Sequence, residues 1–422
     1  VKVKVPYGKS EQFNIDVPDQ QLVGVFNPNP VASVDENEAI DQALKQPFFD
    51  ESFEKFMDTD ERVVFIVNDG TRPTPTAKVL QHIYPMIKDK NIYFIVATGV
   101  HREPTPEEYD FIFGHAIYED LKRQQRVHCH DCHNDPMSYL GESQNGTPMY
   151  LNKIVAEAHK VVPISSIEPH YFAGYTGGRK SFLPGVAAYE TISKNHYLAL
   201  QDSARALKLD GNPVHEDMMD AMHVLSGINI FAIEMVLDSQ HDIYAVTAGD
   251  LSKSFYAGID KAKEVYGVVI PHKADIVIST APYPMDVDLY QSQKALDNGK
   301  LALNEKGILI LVAKCRTGIG PKPFYNLLSS EKDPEDVLKK IHHSWKLGYH
   351  KAAKMAQIDT WAQTWAVSDL TDEEMRNVHF KPYHDLQVAF ADALAEKGDQ
   401  ASVIVLPAGS MTVPEVAVTG KN

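Results

Sequence analysis

From residue 61 onward, short apolar runs alternate with longer amphipathic or polar stretches. The runs are VVFIV (63–67), IYFIVA (92–97), VVPIS (161–165), IFAIEMVL (230–237) and IYAVTA (243–248). Near-continuous apolar strands with helical stretches between them predict a parallel sheet covered by crossover helices. A second series begins after the Pro271-His272 break, with DIVIST (275–280), GILILVA (307–313) and SVIVLP (402–407). The first 35 residues follow another rule. Val1, Val3 and Val5, then Phe13, Ile15 and Val17, alternate with polar residues around Gly8 and Lys9, which predicts an antiparallel hairpin. Residues 331–398, rich in Lys, Glu and Ala, read as mostly helical. The pattern therefore predicts an α/β protein of two α/β domains with mixed or parallel sheets and an active-site cleft between them. The expected boundaries are 1–270, with 410–422 as a candidate completing segment, and 271–409.

Length agrees with two domains, since 422 residues are enough for two separate cores. Hydrophobic residues at 44% and charged residues at 23% exclude a disordered or collagen-like chain. A net charge of −16 argues against a general nucleic-acid binder, although a few local Arg and Lys side chains suffice for an anionic substrate. No apolar run approaches the roughly 20 residues that span a bilayer. The opening VKVKVPYGKS has no apolar stretch followed by a small-residue cleavage site. Cys129, Cys132 and Cys315 are too few and odd in number for a disulfide framework. The expectation is a cytoplasmic enzyme with no nucleic-acid or membrane partner.

The unusual polar motifs follow apolar runs directly: NDGTRPTP (68–75), TGVHREPT (98–105) and APYPMDVDLYQSQK (281–294). Ligands of open α/β sheets bind beyond the carboxyl ends of strands, so three segments nominate the same kind of place. In EPHYFAGYTGGRKSFLPG (168–185), Gly174, Gly177 and Gly178 allow close backbone approach, and their N–H groups offer an anion nest. A P-loop is rejected, because GxxxxGK[ST] counted from Gly174 needs glycine where Arg179 stands. Lys180 beside Arg179 should lose its proton easily, which suits an amine that forms a covalent bond. His101 and His170 occupy equivalent loops, and paired imidazoles suit proton transfer at neutral pH. Arg72 is a guanidinium fork for a carboxylate or phosphate. Thr76 is a candidate cap for the following helix. Gln291 and Lys294 share one helix face, for which solvent exposure is the plain reading. His196, sixteen residues after Lys180, is unremarkable by itself.

RVHCHDCHND (126–135) holds three histidines and a CxxC, which brings a zinc or nickel site to mind. The second ligand pair of a zinc finger is missing downstream, where His159 stands alone.

Together, DGTRPTP, TGVHREPT, PHYFAGYTGGRKSFLPG, KNH (194–196) and LYQSQKAL resemble the nickel-pincer-dependent lactate racemase family, in the family's order along the whole chain. The resemblance implies a nickel-pincer nucleotide, Ni(II)-pyridinium-3,5-bisthiocarboxylate mononucleotide, tethered through Lys180 in the N-terminal domain. It implies His196 as the protein ligand to square-planar nickel, and His101 with His170 as the acid/base pair. Asp69, Gly70, Thr71 and Arg72, with Gly177 and Gly178, would contact the cofactor. Arg72, Gln291 and Lys294 would hold the carboxylate of a 2-hydroxy acid, by default lactate, racemised by reversible transfer of its Cα hydride. Cofactor-biosynthesis proteins would be transient partners. Asn68 precedes Asp69 where the family often has two adjacent acids, and the family's pocket tryptophan falls among Trp345, Trp361 and Trp365. Other classes remain open at this point. A cofactor-independent two-base racemase would not need Lys180, and a nickel- or zinc-binding protein would use HCHDCH. An NAD-dependent dehydrogenase lacks its GxGxxG.

Overall fold

The computed structural model describes residues 1–417. Contacts divide them into two compact units. One comprises 30–204 and 208–265; the other comprises 1–29, 205–207 and 266–417.

The first unit is built on a seven-stranded sheet. Its path runs Ile243–Gly249, Ala232–Leu237, Lys160–Ser166, Val63–Asn68, Ile92–Ala97 and Val127–Cys129. The short strand Asn229–Ile230 lies off this path, paired in parallel with Lys160–Ser166. Only Ala232–Leu237 and Ile243–Gly249 pair antiparallel; the other neighbours are parallel. Each apolar run of the sequence is a strand, because residues buried on both faces leave no room for polar alternation. Val63, Phe65 and Val67 share one core with Phe94, Val162, Ile164 and Ile233. Phe65 and Phe94 stack at 4.8 Å, and Phe113 meets Phe94 edge-on at 5.6 Å. Crossover helix Thr76–Ile87 covers this face with Val79, Leu80 and Ile83. Thr76 is not its cap: Pro75 holds that position without a side-chain bond, and Thr76 is already helical.

The second unit carries a six-stranded parallel sheet. Its order is Lys381–Tyr383, Gln363–Val367, Leu303–Val312, Ala274–Thr280, Val403–Leu406 and Leu22–Val25. The predicted hairpin is present, with Val3 opposite Ile15 and Val5 opposite Phe13.

The units differ from the expected boundaries at 1–29, 205–207, 266–270 and 410–417, all of which belong to the second unit. Val3, Val5, Ile15 and Val17 bury against Ile276, Ile308, Trp365 and Val403, and Leu22–Val25 extends that sheet, so 1–29 pack with the second unit. Val413–Val416 pairs in parallel with Gly267–Ile270, which joins 410–417 to that unit as well. Residues 418–422 of the candidate completing segment lie outside the described residues. The stretch 331–398 also contains two strands, Gln363–Val367 and Lys381–Tyr383, among its helices. Within them Trp365 is a core residue, 1% exposed and stacked on Tyr383.

Phe94→Ala is expected to destabilise the first unit by about 3–5 kcal/mol, because a fully buried aromatic leaves a cavity. Val388→Ala, at a 54% exposed position, should stay within about 0.5 kcal/mol. Urea midpoints of the two variants against the parent test this; equal shifts would contradict the assigned core.

Candidate active site

Lys160–Ser166, Val63–Asn68 and Ile92–Ala97 are neighbouring parallel strands, so their carboxyl ends lie along one edge of the sheet. Asp69 follows one of them directly, and His101 and His170 lie four residues past the other two. Buried hydroxyls tie two of these loops together. Thr74 Oγ1 receives Asn68 Nδ2 at 2.7 Å and lies 2.7 Å from Ser166 Oγ. Ser166 in turn donates to Glu168 at 3.0 Å, and its carbonyl receives Thr176 Oγ1 at 2.8 Å. The third loop joins where Gly99 N–H donates to Gly185 O at 3.0 Å.

Asp69 and His101 form a pair. Asp69 Oδ2 lies 2.7 Å from His101 Nδ1, with the carboxylate side chain 4% exposed and the imidazole 43% exposed. The other carboxylate oxygen receives Thr71 N–H at 2.9 Å and Thr71 Oγ1 at 2.6 Å. Burial alone would raise Asp69, but the bond and charge of His101, then Thr71 and Arg72, outweigh it and hold the carboxyl below its ordinary range. An ionised Asp69 assigns the His101 proton to Nδ1, which leaves a lone pair on Nε2. Gly70 is required for closeness: a Cβ there would meet Glu108 Cβ at 2.6 Å.

The glycine-rich loop is wound around a buried charge. Gly177 and Gly178 adopt φ of +82° and +51°, ahead of the single 3₁₀ turn Gly178–Ser181. Arg179 is 1% exposed. Its guanidinium donates to Ala173 O at 2.8 Å and Gly177 O at 3.2 Å, and lies 4.3 Å from the centre of the Phe255 ring. Burial pulls Arg179 down to about 9, against opposing contributions from Tyr256 and Glu234. Glu234, fully buried, accepts from Gly178 N–H at 2.7 Å and from Ser165 Oγ at 2.6 Å. Its carboxyl is raised to about 7 by burial, against the two bonds and Arg179. The Gly178 N–H is thus satisfied within the protein, and the anion nest expected of the glycines loses that donor.

Lys180 keeps part of its surface accessible. Burial pulls its amine well below lysine's ordinary value, with Arg72 and then Arg179 adding to the effect. The adjacent Arg179, expected to lead, is the smallest of the three causes.

Phe172 gathers the remaining residues. Its ring lies 4.4 Å from His170 and 4.9 Å from His196, both edge-to-face, and Lys180 Nζ lies 5.5 Å from its centre. Phe172 is 2% exposed, with its carbonyl bonded by Asn212 Nδ2 at 2.9 Å. His196 projects from helix Tyr189–Tyr197, which Asn195 anchors through Asp217 at 2.8 Å. His170 is 7% exposed, and its Nδ1 accepts from Ala173 N–H over a long 3.3 Å.

The first unit therefore brings together Asp69, Gly70, Thr71, Arg72 and His101 as one group, and His170, Gly177, Gly178, Lys180 and His196 as another. Arg72 links them through its charge on Lys180. Gln291 and Lys294 belong to the second unit, in helix Leu289–Gly299, whose cap Asp288 bonds Gln291 N–H at 2.7 Å. Both are half-buried rather than solvated. The histidines of HCHDCH are engaged in the fold: His128 Nε2 with Asp135 at 2.7 Å, His130 Nε2 with Ala187 O at 3.0 Å, and His133 stacked on Tyr189. Among the described residues no group of three or more His, Cys, Asp or Glu is arranged to hold a metal. None of their helices is long and apolar enough to cross a membrane. Glu234 and Phe172 were not singled out from the sequence. A lone acid inside the apolar run IFAIEMVL was the available sign of Glu234.

The lactate racemase N-terminal domain family matches residues 7–208, and the lactate racemase C-terminal domain family matches 269–413. The chain is 33% identical over 351 residues to the lactate racemase of Thermoanaerobacterium thermosaccharolyticum, covering 80% of each protein. It is 31% identical to that of Lactiplantibacillus plantarum over 425 residues, 97% of this chain and 98% of the other. The apoprotein structure of the Thermoanaerobacterium thermosaccharolyticum enzyme superposes with a TM-score of 0.90 at 30% identity, over 98% of this chain and all of that one. A Thermotoga maritima protein shares the fold, with a TM-score of 0.66 at 16% identity over 90% of this chain and 98% of the other. With both family domains matched in order and relatives above 30% identity along most of its length, the chain belongs to the lactate racemase family, a family of isomerases.

Proposed function

We propose that the protein racemises a 2-hydroxy acid, by default lactate, using a nickel-pincer nucleotide attached to Lys180. The observation that carries this reading is the grouping of Lys180, His170 and His196 around one buried aromatic ring, joined electrostatically to Arg72. The donor set fits such a group. Burial holds the Lys180 amine well below its ordinary value, the direction that suits a nucleophile able to form a thioamide. A buried imidazole on the same ring suits Ni(II). Asp69, Gly70, Thr71 and Arg72, with the tight Gly177-Gly178 turn, would flank it. When bound, the group supplies reversible acceptance of a hydride, which no side chain offers.

The chain's own residues handle charge and protons. Arg72 would pair with the substrate carboxylate through its fork. His101 would take the hydroxyl proton at Nε2, and the resulting imidazolium would be stabilised by Asp69 on its other nitrogen. For the opposite enantiomer, His170 would take that part. Its neutral ring starts as the other tautomer, with Nδ1 accepting from Ala173 and Nε2 carrying the proton. The 3.3 Å bond must therefore give way before His170 accepts a proton, and a bond of that length is weak enough to do so.

Co-expression with a nickel-pincer biosynthetic pathway is expected to yield a covalent adduct on the parent chain and none on Lys180→Ala, measured as intact mass under denaturing conditions. No adduct on the parent, in cells that charge a known acceptor, would overturn the cofactor assignment. His101→Ala and His170→Ala are each expected to keep the adduct and lower racemisation about 10²–10⁴-fold, the usual contribution of a positioned acid or base. Asp69→Asn, which removes the acceptor that orients His101, should cost about 10²-fold or more. Chiral analysis of a lactate panel reads all three; full racemisation by both histidine variants would end the two-histidine scheme.

A further inference from the structure

Lys180 and Arg179 are adjacent in one 3₁₀ turn, where successive side chains diverge by roughly 120°. Fixing one of them therefore aims the other. Arg179 points into the core against Phe255 and three loop carbonyls, while Lys180 points to the Phe172 ring. The turn that sets this division starts at Gly178, whose N–H is held by Glu234, a residue 56 positions away on strand Ala232–Leu237. Little slack remains around that contact. A Cβ on Gly177 would lie 2.9 Å from Glu234 Oε2, and one on Gly178 would touch Phe255 at 3.0 Å.

We propose that Glu234 is the positioning residue of the tether: by accepting the Gly178 N–H it locks the turn that buries Arg179 and presents the Lys180 amine. Glu234 touches neither substrate nor cofactor in this scheme; it acts through the loop. Its reach matters more than its charge. The proposal rests on the reading of Lys180 as the tether, and it deepens that reading.

The test uses the chain without cofactor. N-Acetoxysuccinimide transfers its acetyl group when a neutral lysine amine attacks the ester carbonyl; N-hydroxysuccinimide leaves and the released proton passes to buffer. Acetylation rates of each lysine are followed by peptide mass spectrometry in the parent, Glu234→Asp and Glu234→Gln. Glu234→Asp keeps a carboxylate but withdraws it by one methylene from the Gly178 N–H. It is expected to slow Lys180 at least about tenfold, because displacements near 1 Å cost reactive geometry of that order. Glu234→Gln keeps the acceptor within reach and should stay within about threefold of the parent. Exposed lysines such as Lys339 should react alike in all three chains, which separates a local effect from unfolding. Lys180 acetylated equally fast in the parent and Glu234→Asp would overturn the proposal, as would Glu234→Gln slowed as much as Glu234→Asp. Adduct formation in pathway-bearing cells is scored separately. A parent chain that acetylates as expected but is never charged would refute the tether and leave the positioning role standing.

Discussion

A guanidinium taken out of water has to find its hydrogen bonds inside the protein, at a cost of several kcal/mol when it does not. Arg179 is in that position, and the glycine-rich loop is shaped by how its needs are met. Carbonyls of Ala173, Thr176 and Gly177 must turn toward one point, which only a chain with positive φ at Gly177 and Gly178 can do so tightly. Phe255 supplies a ring face, and Tyr256 and then Glu234 oppose the downward pull of burial. The same arrangement leaves Lys180 as the cation that is not solvated by carbonyls. Burial, then Arg72 and Arg179, accordingly hold its amine well below lysine's ordinary value.

The parallel sheets were legible because strands buried on both faces must be apolar throughout, and every such run proved to be a strand. Strands without that signal escaped. Gln363–Val367 mixes Gln, Thr and Trp, and Lys381–Tyr383 is three residues long at a sheet edge, so both were absorbed into a helical reading. The N-terminal hairpin was recognised from its alternation, but alternation says only that one face is buried. It does not say against which core, and a core shared by Val5 and Ile276, 271 positions apart, has no local sign. The same reasoning applies to the candidate site. Loop histidines, glycines and the lysine stand out because they sit in unusual polar motifs just past apolar runs, where ligands of such sheets bind. Glu234 was hidden inside such a run, and Phe172 looked like any aromatic, although both organise the residues around them.

The two imidazoles illustrate why the immediate partner of a histidine matters more than its motif. His101 faces a buried carboxylate, Asp69, whose Oδ2 lies 2.7 Å from its Nδ1. His170 faces a backbone N–H at 3.3 Å and two aromatic rings. A racemase must serve both enantiomers with equal equilibrium standing, yet nothing requires its two bases to be chemically alike. What is required is that each return the proton it takes. In the proposed scheme His101 would return its proton from a ring held by Asp69, and His170 from a ring whose bond to Ala173 is long enough to be exchanged, so one active site would serve both directions without internal symmetry.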